Sequence, residues 1–145
     1  MNSAQNQPQV TKSNYIGIFL VALSTLMYEI LLTRIFSVTM GYHFAFMAVS
    51  LAMFGMTVGA IIVYIFPHKF PQEKINTILP RQALYFSLAT ILSFLIHLFI
   101  PFIHGMSLFG MAVTAFTYAE ISVPFVFSGI CISLLLTRFP KSVNT

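Results

Sequence analysis

Charged side chains are what this sequence has least of. Only 7% of its 145 residues are Asp, Glu, Lys or Arg, whereas soluble globular domains contain about 25%. Hydrophobic residues make up 58% of the chain, and the mean hydropathy is +0.90. These values exclude an ordinary soluble domain and indicate a protein embedded in a membrane.

The sequence also lacks the short motifs that mark nucleotide, phosphate and catalytic metal sites. It contains no G-x-G-x-x-G, P-loop, G-x-S-x-G or H-E-x-x-H pattern, and no polar stretch long enough to form a nucleotide-binding domain. Its single cysteine, Cys131, cannot form a disulfide within the chain. We therefore expect no catalytic residue, no cofactor site and no metal site in this chain.

Apolar residues run continuously for about twenty positions, which favours transmembrane helices over the alternating strands of a barrel. We predict an all-α membrane bundle of four transmembrane helices, at 15–36, 44–66, 82–104 and 113–138. Pro67, Pro71 and Pro80 are expected to end the second helix and to precede the third.

The segments outside these spans are short. We expect residues 1–14 to form a flexible leader and residues 139–145 to form a tail. A single helix over 107–138 would be about 48 Å long, which exceeds an untilted crossing. Whether residues 107–119 cross the membrane or lie partly at its surface is therefore left open.

The positions of the basic residues predict the orientation. Lys12 precedes the first span, Lys69, Lys74 and Arg81 lie between the second and third, and Arg138 and Lys141 follow the last. The other two connections contain no Lys or Arg, so the positive-inside rule places both termini in the cytoplasm. This arrangement accounts for the net charge of +4 without a nucleic-acid partner, and it predicts contact with anionic lipid headgroups.

Small residues line one face of the second span. They recur at spacings of three and four, which brings them together on one side of a helix. The stripe consists of Ala45, Ala48, Ala52, Gly55 and Gly59. Another helix can approach closely there, either within this bundle or from a second copy of the chain.

The few polar groups inside the spans suggest a second feature. On the first helix Thr25, Glu29, Thr33 and Ser37 follow at intervals of four and form a polar stripe, while Arg34 projects elsewhere. The predicted topology brings the following residues towards the outer face: Glu29, Arg34, His43, His104 and Glu120. This candidate polar cluster either binds a cation or relays protons, or it stabilises helix packing, for example through an ion pair between Arg34 and Glu120.

Two segments of the chain resemble a known family. They are YEILLTRIFSVTMGYHFAFMAVSLAMFGMTVGA, from Tyr28 to Ala60, and PFVFSGICISLLLTRFPKSVNT, from Pro124 to Thr145. Both resemble the membrane domain of bacterial spermidine synthase-like integral membrane proteins. In that family a cytoplasmic Rossmann-type domain, similar to S-adenosylmethionine-dependent enzymes, follows the membrane helices.

The resemblance implies that this chain is the membrane-embedded front part of such a protein in the bacterial inner membrane. It would then be truncated before further helices and a soluble catalytic domain. Its role would be to anchor the enzyme, or to sense or present a substrate, without being catalytic itself. Its partners would be the lipid bilayer and other transmembrane helices. The alternative from the residues themselves is a small transporter or channel-like subunit that uses Glu29 and the polar stripe.

Overall fold

The computed structural model describes residues 12–39, 41–100 and 108–138. Over these ranges the chain forms four long helices and no strand: α1 (Lys12–Thr39), α2 (Ala45–Ile65), α3 (Ile75–Phe99) and α4 (Leu108–Arg138). Each of the four is long and apolar enough to cross a membrane. The predicted all-α class with four candidate spans is confirmed, and the chain has the architecture of a multi-pass membrane protein.

The helices run alternately in opposite directions. Asn14 in α1 donates to Asn76 near the start of α3, at 3.1 Å. Further along, the hydroxyl groups of Tyr28 and Ser93 lie 3.0 Å apart, so α1 and α3 run in the same direction. The connection from Thr39 to α2 is short, which makes α2 antiparallel to α1. The end that carries Lys12, Lys69 and Lys74 is called the basic end below.

α4 is the central helix of the bundle. In its most apolar stretch 61% of the residues are buried inside the protein, against 28% or less in each of the other three helices. Towards the basic end its residues Cys131 and Leu134 pack with Val21 and Val63. In the opposite half, Phe125 packs with a second cluster drawn mainly from α1 and α2. α4 therefore holds the other helices together.

The small-residue stripe of α2 packs against α4 of the same chain. Ala48, Ala52, Gly55 and Gly59 are all buried. A methyl group added at Gly55 would lie only 2.7 Å from Cβ of Phe125. The absence of side chains on this face lets the two helices touch closely.

One turn further along the same interface, the backbones of α2 and α4 lie in direct contact. A methyl group at Gly59 would collide with the carbonyl oxygen of Val126 and lie 2.8 Å from the nitrogen of Ile130. On the α4 side, a methyl group at Gly129 would collide with the backbone of Met56. Since no side chain fits at these positions, glycine is required on both helices. We call the contact of Gly55, Gly59 and Gly129 with the facing helix the glycine interface.

Several boundaries differ from the sequence prediction. α3 ends at Phe99 and not at residue 104, and α4 begins at Leu108 and not at residue 113. α3 begins at Ile75 and not at residue 82, and it contains Pro80. A proline this close to a helix start removes a single hydrogen bond, to the carbonyl of Asn76, and both residues are exposed at the basic end. α1 is longer than the predicted span by three residues at each end.

The structure also bears on the segment left open above. α4 is one continuous helix from Leu108 to Arg138, so the described part of 107–119 belongs to it. At about 46 Å it exceeds the hydrocarbon thickness and must tilt or extend into the headgroup region. The predicted leader as far as residue 11 and the tail 139–145 lie outside the described residues.

Replacing Gly59 with alanine should destabilise the bundle. The added methyl group would force the α2 and α4 backbones apart, and overpacking of this kind costs about 1–3 kcal/mol. This loss competes with a gain of up to about 1 kcal/mol in helix propensity. We expect a lower unfolding midpoint for Gly59→Ala when helicity is followed by circular dichroism in detergent.

Gly17→Ala provides the matched control. Gly17 is also a helical glycine, but it is exposed and has no atom near the position of an added methyl group. The same propensity gain should therefore leave this variant at least as stable as the parent. Equal midpoints for the two variants would contradict the glycine interface.

Candidate functional site

Polar side chains from α1, α3 and α4 meet near the middle of the bundle. The hydroxyl oxygens of Thr25 and Ser128 lie 2.6 Å apart, and Thr25 also donates to the carbonyl of Val21 at 2.7 Å. About one turn further from the basic end, the hydroxyl groups of Tyr28 and Ser93 are 3.0 Å apart. Both pairs are buried, so they join helices where neither water nor lipid can satisfy them.

Ser93 extends the second pair to a backbone group of α4. Its hydroxyl donates to the main-chain carbonyl of Glu120 at 3.5 Å, a long hydrogen bond. That carbonyl is available because Pro124, four residues later in the same helix, has no N–H to donate to it. Since Ser93 then uses its hydrogen on Glu120, the hydroxyl of Tyr28 donates to Ser93.

Tyr28 is held in place by its ring as well as by its hydroxyl. It is buried, and its ring packs against Phe125 with 5.5 Å between the ring centroids. Phe125 also faces Gly55 in the glycine interface. The position of the Tyr28 to Ser93 pair therefore depends on the close approach of α2 and α4.

An apolar groove opens between α3 and α4 beside this network. Its volume is about 550 Å³, and we call it the α3–α4 groove. The apolar side chains that line it include Leu88, Leu92, Ile96, Phe116 and Phe127. Three polar residues, Tyr85, Ser93 and Glu120, also border it, but the surface of the groove is almost entirely apolar. The groove is thus a hydrocarbon surface, and the carboxyl group of Glu120 is buried beside it.

The carboxyl group of Glu120 has no partner at full hydrogen-bond geometry among the described residues, although the Ser93 hydroxyl lies near it. Both of its oxygens are buried, although the side chain as a whole is only half-buried. An isolated carboxylate in apolar surroundings is strongly unfavourable, so this group requires either a proton or a cation. This requirement makes Glu120 the residue of the bundle most suited to bind a ligand.

The described members of the predicted polar cluster do not contact one another. No hydrogen bond or ion pair joins Glu29, Arg34 and Glu120, so the ion pair between Arg34 and Glu120 considered above is not formed. Arg34 is exposed, and Glu29 lies half-buried beside the buried face of α1. The side chain of His43 and the whole of His104 lie outside the described residues, so their part in the cluster stays a prediction.

The remaining titratable groups of the spans do not gather either. Among residues 12–39, 41–100 and 108–138, no set of three His, Cys, Asp or Glu side chains is arranged to hold a metal ion. His97 instead packs its ring against Phe36, with 5.7 Å between centroids. Cys131 is buried in the core of α4.

The sequence alone does not identify Ser93 or Ser128 as a partner of α1. One available signal was Pro124, which frees the carbonyl of Glu120 and so predicts a donor nearby. Ser93 is such a donor, but choosing it over Ser87 requires the relative depth of α3 and α4. That depth follows from helix packing and not from spacing within one helix.

Comparisons with known proteins found no matching family model, no matching curated protein and no matching solved structure. The resemblance of residues 28–60 and 124–145 to the spermidine synthase-like membrane proteins therefore stays a prediction.

Removing the hydroxyl of Ser93 should loosen the contact of α3 with α1 and α4. Ser93→Ala leaves Tyr28 and the carbonyl of Glu120 without a partner, and interhelical hydrogen bonds in membranes contribute about 0.6–1.7 kcal/mol. Tyr28→Phe keeps the ring contact with Phe125 and removes only the hydroxyl. We expect both variants to unfold earlier, with losses that are not additive in the double variant.

Ser87→Ala is the control for this cycle. Ser87 lies on the same helix, but it is exposed. Its replacement should leave the unfolding midpoint unchanged within error. Strict additivity of Ser93→Ala and Tyr28→Phe would show that the two hydroxyl groups are not coupled, against this account.

Proposed function

We propose that this chain is the membrane-embedded domain of a spermidine synthase-like transferase. In this role it anchors the enzyme in the bacterial inner membrane and presents or senses a substrate there. The chain itself carries no catalytic residue in this proposal. The catalytic domain would lie on the cytoplasmic side, reached from the basic end of the bundle.

The position of the two resembling segments supports this proposal. Residues 28–60 and 124–145 contain all three residues of the glycine interface. They also contain every buried residue of the cluster around Phe125 except Ile121. Segments far apart in sequence that meet in one tight interface are constrained together, so a family that shares both segments would be expected to share this helix arrangement.

The distribution of charge supports the proposed orientation. Lys69 and Lys74 are exposed in the connection between α2 and α3, at the same end as the start of α1. Lys69 also lies over the ring of Phe66, at 5.2 Å from its centroid. An aromatic ring beside a cation suits the boundary between hydrocarbon and headgroups. By the positive-inside rule this end faces the cytoplasm.

The alternative, a small transporter or channel-like subunit, has less support from the geometry. It requires Glu29 and the polar stripe of α1 to line a path. Thr25 is engaged inside the bundle with Ser128, and Thr33 donates to the carbonyl of Ile30 in its own helix. Two of the four residues of the stripe, Thr25 and Thr33, are therefore occupied by local and packing contacts. If the parent protein supports flux across reconstituted vesicles and folded Glu29→Gln does not, that result would favour this alternative.

The native protein in its source membranes provides the test. An antibody against residues 66–74 should detect a band far above 16.3 kDa under denaturing conditions, because the proposal requires a further domain. It should bind intact inverted inner-membrane vesicles and not right-side-out ones, since this connection is placed in the cytoplasm. A band at 16.3 kDa would contradict membership of a larger transferase, and binding only to right-side-out vesicles would contradict the orientation.

A further inference from the structure

We propose that the α3–α4 groove binds a membrane-soluble amine, a molecule with one ammonium group and an apolar body. The ammonium group would pair with the carboxylate of Glu120, and the body would lie along the apolar walls of the groove. This inference depends on the described helices alone. It stands whether or not the chain belongs to a transferase.

The dimensions of the groove suit a small elongated molecule. Its volume of about 550 Å³ lies within the range of ordinary ligand sites, roughly 300–1,000 Å³. On α3 its lining runs from Tyr85 to Ile96, which corresponds to about 16 Å along the helix axis. Leu92, Phe116 and Val123, three of its walls, are exposed on the protein surface, so a ligand can enter from the side.

The charge of the ligand follows from what Glu120 lacks. No described residue donates to its carboxyl oxygens at full hydrogen-bond geometry, and the one polar group close enough to interact with them is the uncharged hydroxyl of Ser93. Arg81 donates instead to the hydroxyl of Tyr85 at 2.8 Å and stacks on that ring. It lies twelve residues before Ser93 on the same helix, about 18 Å away along the axis. Among the described residues no Lys or Arg lies at this depth, and a ligand that supplies a cation gains a strong pairing in a medium of low dielectric constant.

The ammonium group finds suitable acceptors in this carboxylate. A primary ammonium group has three hydrogens to donate and no acceptor. The two oxygens of Glu120 offer sites for two of them. Because both carboxyl oxygens are buried, pairing requires a rotation of the Glu120 side chain towards the groove.

Other ligand classes fit these observations less well. A fatty acid or a phospholipid phosphate would bring a second negative charge against Glu120. A hydrocarbon chain alone would leave the carboxyl group without a partner. A polyamine would lay several charges against leucine and phenylalanine side chains, where none can be satisfied. One charge at one end of an apolar molecule matches the single carboxyl group beside this groove.

Tryptophan fluorescence can measure this binding, because the chain contains no tryptophan. Phe116→Trp places a single reporter at the exposed rim of the groove. The protein would be reconstituted in phosphatidylcholine nanodiscs and titrated with dodecylamine, with dodecanol and spermidine as controls. We expect a saturable change in emission with dodecylamine, and affinities at least about tenfold weaker for both controls.

Two variants in the reporter background separate the roles of charge and shape. Glu120→Gln keeps the size of the side chain and should weaken dodecylamine binding to the level of dodecanol. Ala119→Phe fills the groove from an exposed position and should weaken binding while Glu120 is intact. If Glu120→Gln does not fold, the comparison of amine with alcohol and the Ala119→Phe variant still test the proposal.

The following results would overturn the inference. Equal affinities for dodecylamine and dodecanol would show that the ammonium group contributes nothing and that the groove binds hydrocarbon chains alone. Binding of spermidine as tight as that of dodecylamine would remove the role of the apolar walls. A reporter that responds to none of the three compounds would show that no amine enters.

Discussion

The close contact of α2 with α4 is the constraint on which the rest of this structure depends. In a bilayer, burying apolar surface between helices provides little driving force, because lipid is as apolar as leucine. What remains is van der Waals packing, and its strength rises as backbones come closer. Gly55, Gly59 and Gly129 permit this approach, and no side chain fits in their place. The interface fixes α4 as the centre of the bundle, against which α1 and α3 are arranged.

The polar groups of the interior follow from that arrangement. Phe125 packs against Gly55 on one side and against the ring of Tyr28 on the other. This packing holds the hydroxyl of Tyr28 beside that of Ser93. Ser93 in turn satisfies the carbonyl that Pro124 leaves free. The carboxyl group of Glu120 is the contrasting case, since it has no partner at full hydrogen-bond geometry among the described residues. A polar group that the fold pairs is explained by stability, whereas one that it leaves unpaired in hydrocarbon points to a ligand or a proton.

Much of the fold could be predicted from the sequence, because membrane spans and helix faces are local properties. The continuous apolar runs indicated four helices, and the spacing of Ala48, Ala52, Gly55 and Gly59 indicated a packing face. The predicted start of α3 was wrong because Pro80 was expected to precede the helix. A proline in the first turns of a helix costs little when the backbone group that it leaves unpaired is solvated. Glu29 and Glu120 were predicted to lie together only because both lie at a similar depth in the membrane. Two residues at similar depth meet only if their helix faces also point at each other, and that depends on the rotation of each helix in the bundle.

A cross-link between α1 and α4 tests most directly the claim that one chain forms this bundle around α4. The hydroxyl oxygens of Thr25 and Ser128 are 2.6 Å apart, so cysteines at both positions, in a Cys131→Ser background, should form a disulfide on oxidation in membranes. The account predicts a cross-linked monomer, and none when Ser24, which is exposed on α1, replaces Thr25 as the cysteine site. A disulfide that joins two chains, or two cysteines that stay reduced and react with a membrane-permeant thiol reagent, would contradict it.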